Sequence, residues 1–239
     1  MSENIQRLKG ETIVFTGSRK PEEAVSRVEE LGGKALYLPL IETSIRQSEI
    51  PSVEQYDWLI FTSATSAEAF CQLHVSTRAK IAAVGEKTAE TLEQHGYQVD
   101  FIPSIYSADV FIKEFPAFAG SDVKCLFVKG TLAKSTIASM PLQIDEWTIY
   151  ETSLKIGNAH TLMKMKELIV IFASPSAVSA YREAGGDWSG IRTAAIGHIT
   201  ENAIKQNGGR VDYRPKKYTY LEVINEIAKG SCKNDRIEF

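Results

Sequence analysis

The sequence predicts an α/β protein made of two similar domains, each a doubly wound parallel sheet with helices on both faces. Two observations lead to this fold class. The sequence repeats itself at one spacing over nearly its whole length, and within each copy short apolar runs alternate with amphipathic segments. Short continuous apolar runs are typical of buried parallel strands, and apolar residues three or four positions apart are typical of the helices that connect them.

The repeat is clearest in two segments. Residues 61–70 (FTSATSAEAF) and 172–181 (FASPSAVSAY) share Phe, Ser, Ala and a final aromatic residue at an offset of 111. Five further residues recur 112 positions later, and the pairs are Gly85 and Gly197, Thr88 and Thr200, Gly96 and Gly208, Pro103 and Pro215, and Tyr106 and Tyr218. So many ordered identities at one spacing indicate an internal duplication, which determines the architecture.

The elements follow from the apolar pattern in chain order. Predicted strands of the first copy cover 12–16, 58–62, 81–84 and 98–102, and those of the second cover 124–128, 168–173, 193–196 and 210–213. Helices are predicted over 22–31, 88–95, 108–115, 200–207 and 220–229. Gly32, Gly96 and Gly208 stand where a glycine ends a helix.

Composition excludes several classes of protein. With 44% hydrophobic and 24% charged residues the chain is globular. Its net charge of −3, with scattered Lys and Arg, gives no basic surface for nucleic acid. Residues 1–11 lack an apolar leader, and no stretch approaches the ~18 apolar residues of a membrane span. We therefore expect a cytoplasmic protein that acts on a small-molecule substrate and binds neither nucleic acid nor membrane. Our separate expectation for the oligomeric state is a monomer.

The cysteines and histidines suggest no metal or disulfide chemistry. Cys71, Cys125 and Cys232 have no CxxC spacing, so they are interpreted as reduced thiols. The four histidines have no metal-ligand spacing. His198, beside Gly197, is interpreted as structural or solvated, with contact to a ligand as the alternative.

Polar residues follow the predicted strands at the edge where ligands bind in open parallel sheets. Ser63 and Ser174 precede predicted helix starts, and Thr88 and Thr200 lie in first turns after Gly85 and Gly197. Helix N-termini offer unpaired amides to anions, so these residues are candidate anion contacts. Helix capping alone is the other interpretation. Neither glycine loop has a nucleotide-binding pattern, so a nucleotide site is not predicted.

Over nearly its full length the sequence resembles the uroporphyrinogen-III synthase family. The matching segments are Phe61-Thr-Ser63, Ala83-Val-Gly85 with Thr88-Ala89, Gly96 with Pro103, Tyr150-Glu-Thr152, Phe172-Ala-Ser-Pro-Ser176, and Ala195-Ile-Gly197 with Thr200. This order of segments is specific to the family, whereas each segment alone is weak.

The resemblance implies two flavodoxin-like domains joined by a two-stranded linker. The first would contain residues 1–38 and 156–239, the second 46–146, and the linker strands 39–45 and 147–155. Residues 12–16 would then share a sheet with 168–173 and not with 58–62. Substrate would lie in a cleft between the domains. The family closes hydroxymethylbilane, a linear tetrapyrrole with eight carboxylates, into uroporphyrinogen III with inversion of the last ring, loss of water and no cofactor.

The resemblance also implies roles for residues. Tyr150 matches the family tyrosine proposed to assist departure of the substrate hydroxyl. Ser63, Thr88, Ser174 and Thr200, with the Gly85 and Gly197 loops, match positions expected to meet carboxylates. Further cationic candidates are Lys129, Arg19 and Lys134.

The sequence departs from the family pattern at two places. Arg19-Lys-Pro21 displaces an Arg-Pro pair, and Thr65-Ser66 replaces Asn-Gly. The alternative function is a non-catalytic two-domain protein that binds a tetrapyrrole or small anion. A flavodoxin-like electron carrier is a third possibility, and bound flavin would colour the purified protein.

Overall fold

The computed structural model describes residues 6–46 and 49–234, with side chains through residue 230. The chain is a mixed α/β protein with parallel sheets, and it divides into two compact units. Unit 1 comprises the described residues up to Glu42 and from Ser153 onward, and unit 2 comprises Thr43–Thr152. The chain passes from one unit to the other within β3 (Ile41–Ile45) and β7 (Gln143–Leu154).

Unit 1 is a four-stranded sheet covered by helices. Its further elements are β1 (Thr12–Phe15), α1 (Glu22–Glu30), β2 (Lys34–Tyr37), α5 (Ile156–Met163), β8 (Leu168–Phe172), α6 (Pro175–Glu183), β9 (Ile191–Ala195), α7 (His198–Gln206) and α8 (Tyr220–Asn234). The strand order is β2-β1-β8-β9, with every neighbouring pair parallel. β1 lies beside β8, with Ile13 opposite Ile169, which confirms the predicted pairing.

Unit 2 holds a five-stranded sheet. Its further elements are β4 (Trp58–Phe61), α2 (Ala64–Gln72), β5 (Lys80–Ala83), α3 (Glu86–Gln94), α4 (Ala108–Ala119) and β6 (Lys124–Gly130), with 3₁₀ turns at Val53–Gln55 and Ile137–Ser139. The strand order is β3-β7-β6-β4-β5, and β7, β6, β4 and β5 are successively parallel.

Each sheet has apolar side chains packed on both faces. In unit 2, Phe70 and Leu92 of α2 and α3 belong to one cluster, and Phe111 and Phe115 of α4 belong to the other. In unit 1, α1 and α8 contribute to one cluster, and α5, α6 and α7 contribute to the other. Burial on two faces explains why the central strands β4 and β8 are entirely apolar.

Two predicted strands, 98–102 and 210–213, are wrong as strands, because each is reduced to one bridge. Phe101 pairs with Ala82, and Tyr213 pairs with Ala194. A proline two residues further, Pro103 or Pro215, has no N–H to continue the ladder. Both segments are also held by a carboxylate: Asp100 accepts from the Ile81 amide and Asp212 from the Thr193 amide, each at 2.8 Å.

The predicted C-terminal ends of helices agree with the structure better than the predicted set of amphipathic helices does. Gly32, Gly96 and Gly208 have φ of +80°, +85° and +79° just beyond α1, α3 and α7, so all three predicted stops are confirmed. α2, α5 and α6 were not among the predicted amphipathic segments, but α2 and α6 begin directly after Ser63 and Ser174, which confirms the two helix starts predicted there. In α2 the small residues Ser66, Ala67 and Ala69 are all buried, which weakens the contrast between its faces.

Two cysteines lie in the described core. Cys71 and Cys125 are free and buried, and burial raises the pKa of both thiols, that of Cys125 to about 12. Such thiols are chemically inert. The Cys232 side chain lies outside the described ones. None of the described helices is long and apolar enough to cross a membrane.

Candidate active site at the carboxyl edges of the sheets

The strand register of unit 2 brings three candidate residues to one level of the sheet. Phe61 of β4 is paired with Ala83 of β5 and with Val128 of β6. Two residues further along each strand direction stand Ser63, Gly85 and Gly130, and Gly130 is opposite Tyr150 of β7. Ser63, Gly85 and Tyr150 therefore share the carboxyl edge of this sheet.

A β-bulge directs Tyr150. Lys129 pairs with Thr148, but the next residue, Gly130, pairs with Tyr150, so Ile149 is an extra residue in β7. Bulges change the direction in which a side chain points and are frequent next to active sites. Here Tyr150 packs against the cluster that contains Phe61 and Trp147, while its hydroxyl has no hydrogen-bond partner among the described residues. The ring is fixed and the hydroxyl is available.

Ser63 caps a helix with its hydroxyl. Its Oγ accepts a hydrogen bond from the Ser66 amide at 3.1 Å and donates to Ser66 Oγ at 3.1 Å. Ser66 Oγ in turn donates to the Ser63 carbonyl at 2.8 Å. The Thr65-Ser66 pair, which departs from the family pattern, thus supplies the partner that completes this cap.

Ser174 does the same in unit 1. Its Oγ accepts from the Ala177 amide at 3.3 Å and lies 2.9 Å from Ser176 Oγ. Pro175 follows as the first residue of α6 and has no N–H that needs an acceptor. Capping is therefore observed for both serines, and a substrate contact would be an additional role.

Gly85 and Gly197 leave the next helix starts uncapped by a side chain. They are the N-cap residues of α3 and α7, and neither cap makes a side-chain hydrogen bond. The Thr88 amide donates to the Gly85 carbonyl at 3.0 Å, whereas the first amides of a helix otherwise have no acceptor within it. Thr88 and Thr200 occupy the same position in these first turns and are only 4% and 3% exposed. Within the described part of the chain, neither hydroxyl has a hydrogen-bond partner. Both helix starts therefore hold donors suited to an anion.

The two glycines differ in what covers them. A β-carbon at Gly85 would meet nothing within 4 Å, whereas one at Gly197 would lie 3.1 Å from Tyr218 Cγ. The Tyr218 hydroxyl is 3.0 Å from His198 Nδ1, so this ring and the imidazole form a pair over the start of α7. Sequence reasoning noted Tyr218 only as a repeated residue, because its contact depends on a loop folding back over twenty positions.

Charges around α7 are already paired. Glu201 lies 2.7 Å from Lys205 and 2.5 Å from Arg214. The Lys205 hydrogen bond, the Arg214 charge and the nearby His198 lower the pKa of Glu201. This carboxylate is ionised and neutralised locally, which limits its repulsion of an anion at the helix start.

The three cationic candidates lie in different settings. Lys129 is 14% exposed, and its Nζ is 2.6 Å from Glu146 Oε2. Arg19 is exposed in the loop between β1 and α1, and Lys134 is exposed in the loop after β6. Lys129 is thus engaged in an ion pair in the same unit.

Comparison with known proteins decides the family. The family model described as "Uroporphyrinogen-III synthase HemD" matches residues 22–225, which is most of the chain. The chain belongs to the uroporphyrinogen-III synthase family. Its matched region includes the carboxyl-edge residues of both units.

Curated relatives of the family agree. The uroporphyrinogen-III synthase of Chlorobaculum parvum is 24% identical over 230 residues, covering 86% of this chain and 93% of the relative. That of Synechococcus elongatus is 27% identical over 248 residues, covering 90% and 93%. The similarity thus extends over nearly the whole length of these synthases.

Solved structures share the fold. A mutant uroporphyrinogen III synthase from Thermus thermophilus superposes with a TM-score of 0.72 at 14% identity, covering 94% of this chain and all of the other. The uroporphyrinogen-III synthetase of Helicobacter pylori has a TM-score of 0.66 at 20% identity, covering 92% and 99%. Both show that this mixed α/β fold is that of uroporphyrinogen-III synthases.

Proposed function

We propose that this chain is a uroporphyrinogen-III synthase, which converts hydroxymethylbilane to uroporphyrinogen III with inversion of the terminal ring and loss of water. The family match over residues 22–225 carries the proposal. The Tyr150 hydroxyl supports the proposal. It lies at the carboxyl edge of its sheet and has no hydrogen-bond partner among the described residues. The reaction needs a proton donor at the place where the substrate hydroxyl leaves.

In the proposed complex, substrate carboxylates are bound mainly by helix starts. The first turns of α3 and α7 combine open amides with the hydroxyls of Thr88 and Thr200. A carboxylate there gains charge-assisted hydrogen bonds and the favourable end of the helix dipole. A net charge of −3 is therefore compatible with a polyanionic substrate, because the contacts are local.

The phenol of Tyr150 is the proposed general acid. It protonates the departing hydroxyl of the bilane, so water leaves and an azafulvene cation forms. The substituted α-carbon of the terminal ring then attacks that cation and forms a spiro intermediate. The bond from this carbon to its original bridging methylene breaks, and the methylene rejoins the ring at its other α-carbon, which inverts the ring. The proton that this second α-carbon loses returns to the Tyr150 phenolate. The β-bulge at Ile149 and the packing of the ring hold the donor in one place, which is the condition for effective proton transfer.

Exposed apolar side chains supply surfaces for pyrrole rings in this proposal. Ile105, Tyr106 and Leu132 of unit 2 are 64%, 58% and 59% exposed, and all follow the carboxyl ends of extended segments of its sheet. Ile199 of unit 1, at the start of α7, is 62% exposed. Large apolar groups at the same sheet edges as the proposed anion-binding helix starts match a ligand with flat rings and carboxylate arms.

We further propose that the two units descend from one duplicated domain, with β3 and β7 as the linker. The support is a hydrogen-bond pattern repeated at the sequence offset. Asp100 accepts from the Ile81 amide as Asp212 accepts from the Thr193 amide, and the Ala83 and Ala195 amides donate to the Phe101 and Tyr213 carbonyls. Each member of the second set stands 112 positions after its counterpart.

The test supplies enzymatically generated hydroxymethylbilane and separates the uroporphyrin isomers after oxidation. The synthase should form the type III isomer at a rate proportional to protein concentration. Formation of the type I isomer alone, at the rate seen without protein, would contradict the enzymatic function. Tight binding of uroporphyrinogen in that case would favour the non-catalytic binding protein.

A further inference from the structure

We propose that Gly130 is a positioning residue for Tyr150: the absence of a side chain at the end of β6 creates the space in which the phenol ring lies. The inference builds on the proposed function, since it concerns the orientation of the proposed acid. It adds a residue that neither the repeat nor the candidate anion contacts indicated.

The contact between the two residues is direct. A β-carbon built on Gly130 would overlap the Tyr150 ring, lying 2.6 Å from both Cε1 and Cε2. Real β-carbons essentially never approach other heavy atoms that closely. The ring therefore occupies the volume that any other residue at 130 would fill, and a methyl group there must move the ring or the strand.

The requirement for glycine at this position is steric and not conformational. Gly130 is absent from the glycines that adopt positive φ, which include Gly120 and Gly190 in the described chain. Alanine could therefore adopt the Gly130 backbone. Glycine inside a strand weakens it and frequently marks a close approach of another group, and here that group is the Tyr150 ring.

The neighbouring backbone holds the ring over Gly130. The bulge at Ile149 shifts the register so that Tyr150, and not Ile149, stands opposite Gly130. The Thr131 amide then donates to the Tyr150 carbonyl at 3.1 Å, and the Ala133 amide donates to the Gly130 carbonyl at 3.1 Å. Thr131 Oγ1 also accepts from the Thr152 amide at 3.1 Å. The two bonds made by Thr131 tie the loop after β6 to β7 at Tyr150 and Thr152.

The first experiment compares Gly130→Ala with a control. Gly130→Ala should lower kcat for the type III isomer by ~10²-fold, a typical loss of general acid catalysis, while KM changes less than about 3-fold. The control is Gly157→Ala, because a β-carbon at Gly157 in α5 would meet nothing within 4 Å. It should leave kcat unchanged. An unchanged kcat in Gly130→Ala would overturn the inference.

A double-mutant cycle separates positioning from a general disturbance. Tyr150→Ala removes the ring that the new methyl group would strike, so adding Gly130→Ala to it should change kcat by less than about 2-fold. The double variant should also unfold at nearly the same temperature as the single variant Tyr150→Ala. This comparison holds even if Gly130→Ala alone is too unstable to assay. Additive losses in either quantity would contradict the proposed role.

A readout without substrate keeps this inference apart from the proposed function. In protein labelled with ¹³C-tyrosine, the Tyr150 ring signals, assigned with Tyr150→Phe, should shift in Gly130→Ala, while those of Tyr56 stay in place. Unmoved Tyr150 signals would overturn the inference. If the unaltered protein forms no type III isomer but its Tyr150 signals shift in the variant, the proposed function fails and the positioning contact stands.

Discussion

Replacing Tyr150 by Phe removes one oxygen atom and leaves the aromatic ring. The hydroxyl has no hydrogen-bond partner within the described residues, and the ring packs against the cluster that contains Phe61 and Trp147. The substitution therefore breaks no internal hydrogen bond of the described chain and opens no cavity. The free energy of unfolding should change by less than about 0.5 kcal/mol, which is usual for a substitution that neither breaks an internal hydrogen bond nor creates a cavity.

The expected effect on catalysis is much larger than the effect on stability. A positioned general acid contributes ~10²- to 10⁴-fold to a rate. Hydroxymethylbilane closes without enzyme to the uninverted isomer, so its intrinsic barrier is low and the smaller value applies. We expect Tyr150→Phe to lower kcat by ~10²-fold, equivalent to ~2.7 kcal/mol in the activation free energy. Product affinity should barely change.

Tyr56→Phe is the matched control for this measurement. Tyr56 belongs to the same unit but precedes β4, at the opposite end of the strand from Ser63, and its hydroxyl donates to Asp145 Oδ2 at 3.0 Å. Its loss should lower the free energy of unfolding by ~0.5 to 1.5 kcal/mol and leave type III formation intact. Full turnover in Tyr150→Phe, or an equal loss in Tyr56→Phe, would refute the assigned role of Tyr150.

Three further predictions concern binding, stability and thiol reactivity. Thr88→Val and Thr200→Val should each weaken uroporphyrinogen binding by ~1.5 to 3 kcal/mol, because each removes a charge-assisted hydrogen bond. Calorimetry measures this affinity, and unchanged affinity in both variants would exclude the helix starts as the anion site. Ser63→Ala and Ser174→Ala should each lower the free energy of unfolding, measured by urea titration, by ~1 kcal/mol, because each removes a helix N-cap. A decrease below about 0.3 kcal/mol would show that these caps contribute little to stability. The buried Cys125 thiol, with its pKa raised to about 12, should react with a disulfide reagent at pH 8 only after denaturation; rapid labelling of Cys125 in the folded protein, located by mass spectrometry, would show that the core opens.

The sequence was sufficient to predict the strands that are buried on both faces. β1, β4, β6 and β8 are apolar runs bounded by turn residues, and the structure places each within about two residues of its prediction. The strands predicted over 98–102 and 210–213 were wrong, because an apolar run does not show where the hydrogen-bond ladder between strands ends. There, Pro103 and Pro215 override the preference of the run for extended pairing.

The candidate site was predictable in position but not in detail. That hydroxyls and glycines gather at carboxyl edges follows from the parallel sheet, and the register of β4, β5 and β6 aligns Ser63, Gly85 and Gly130. The bulge at Ile149 and the Tyr218 ring over Gly197 depend on contacts between distant segments. No local sequence pattern encodes these contacts, so they are visible only in the folded structure.

The anion contacts proposed at the first turns of α3 and α7 are made by backbone amides and hydroxyls and not by fixed charges. Both helices have glycine at the N-cap and threonine three residues later, but between them stand Glu86 and Lys87 in one and His198 and Ile199 in the other. The backbone amides that would meet a carboxylate do not depend on those intervening side chains. The proposed carboxylate contacts at these helix starts therefore do not require the Arg-Pro pair that Arg19-Lys-Pro21 displaces.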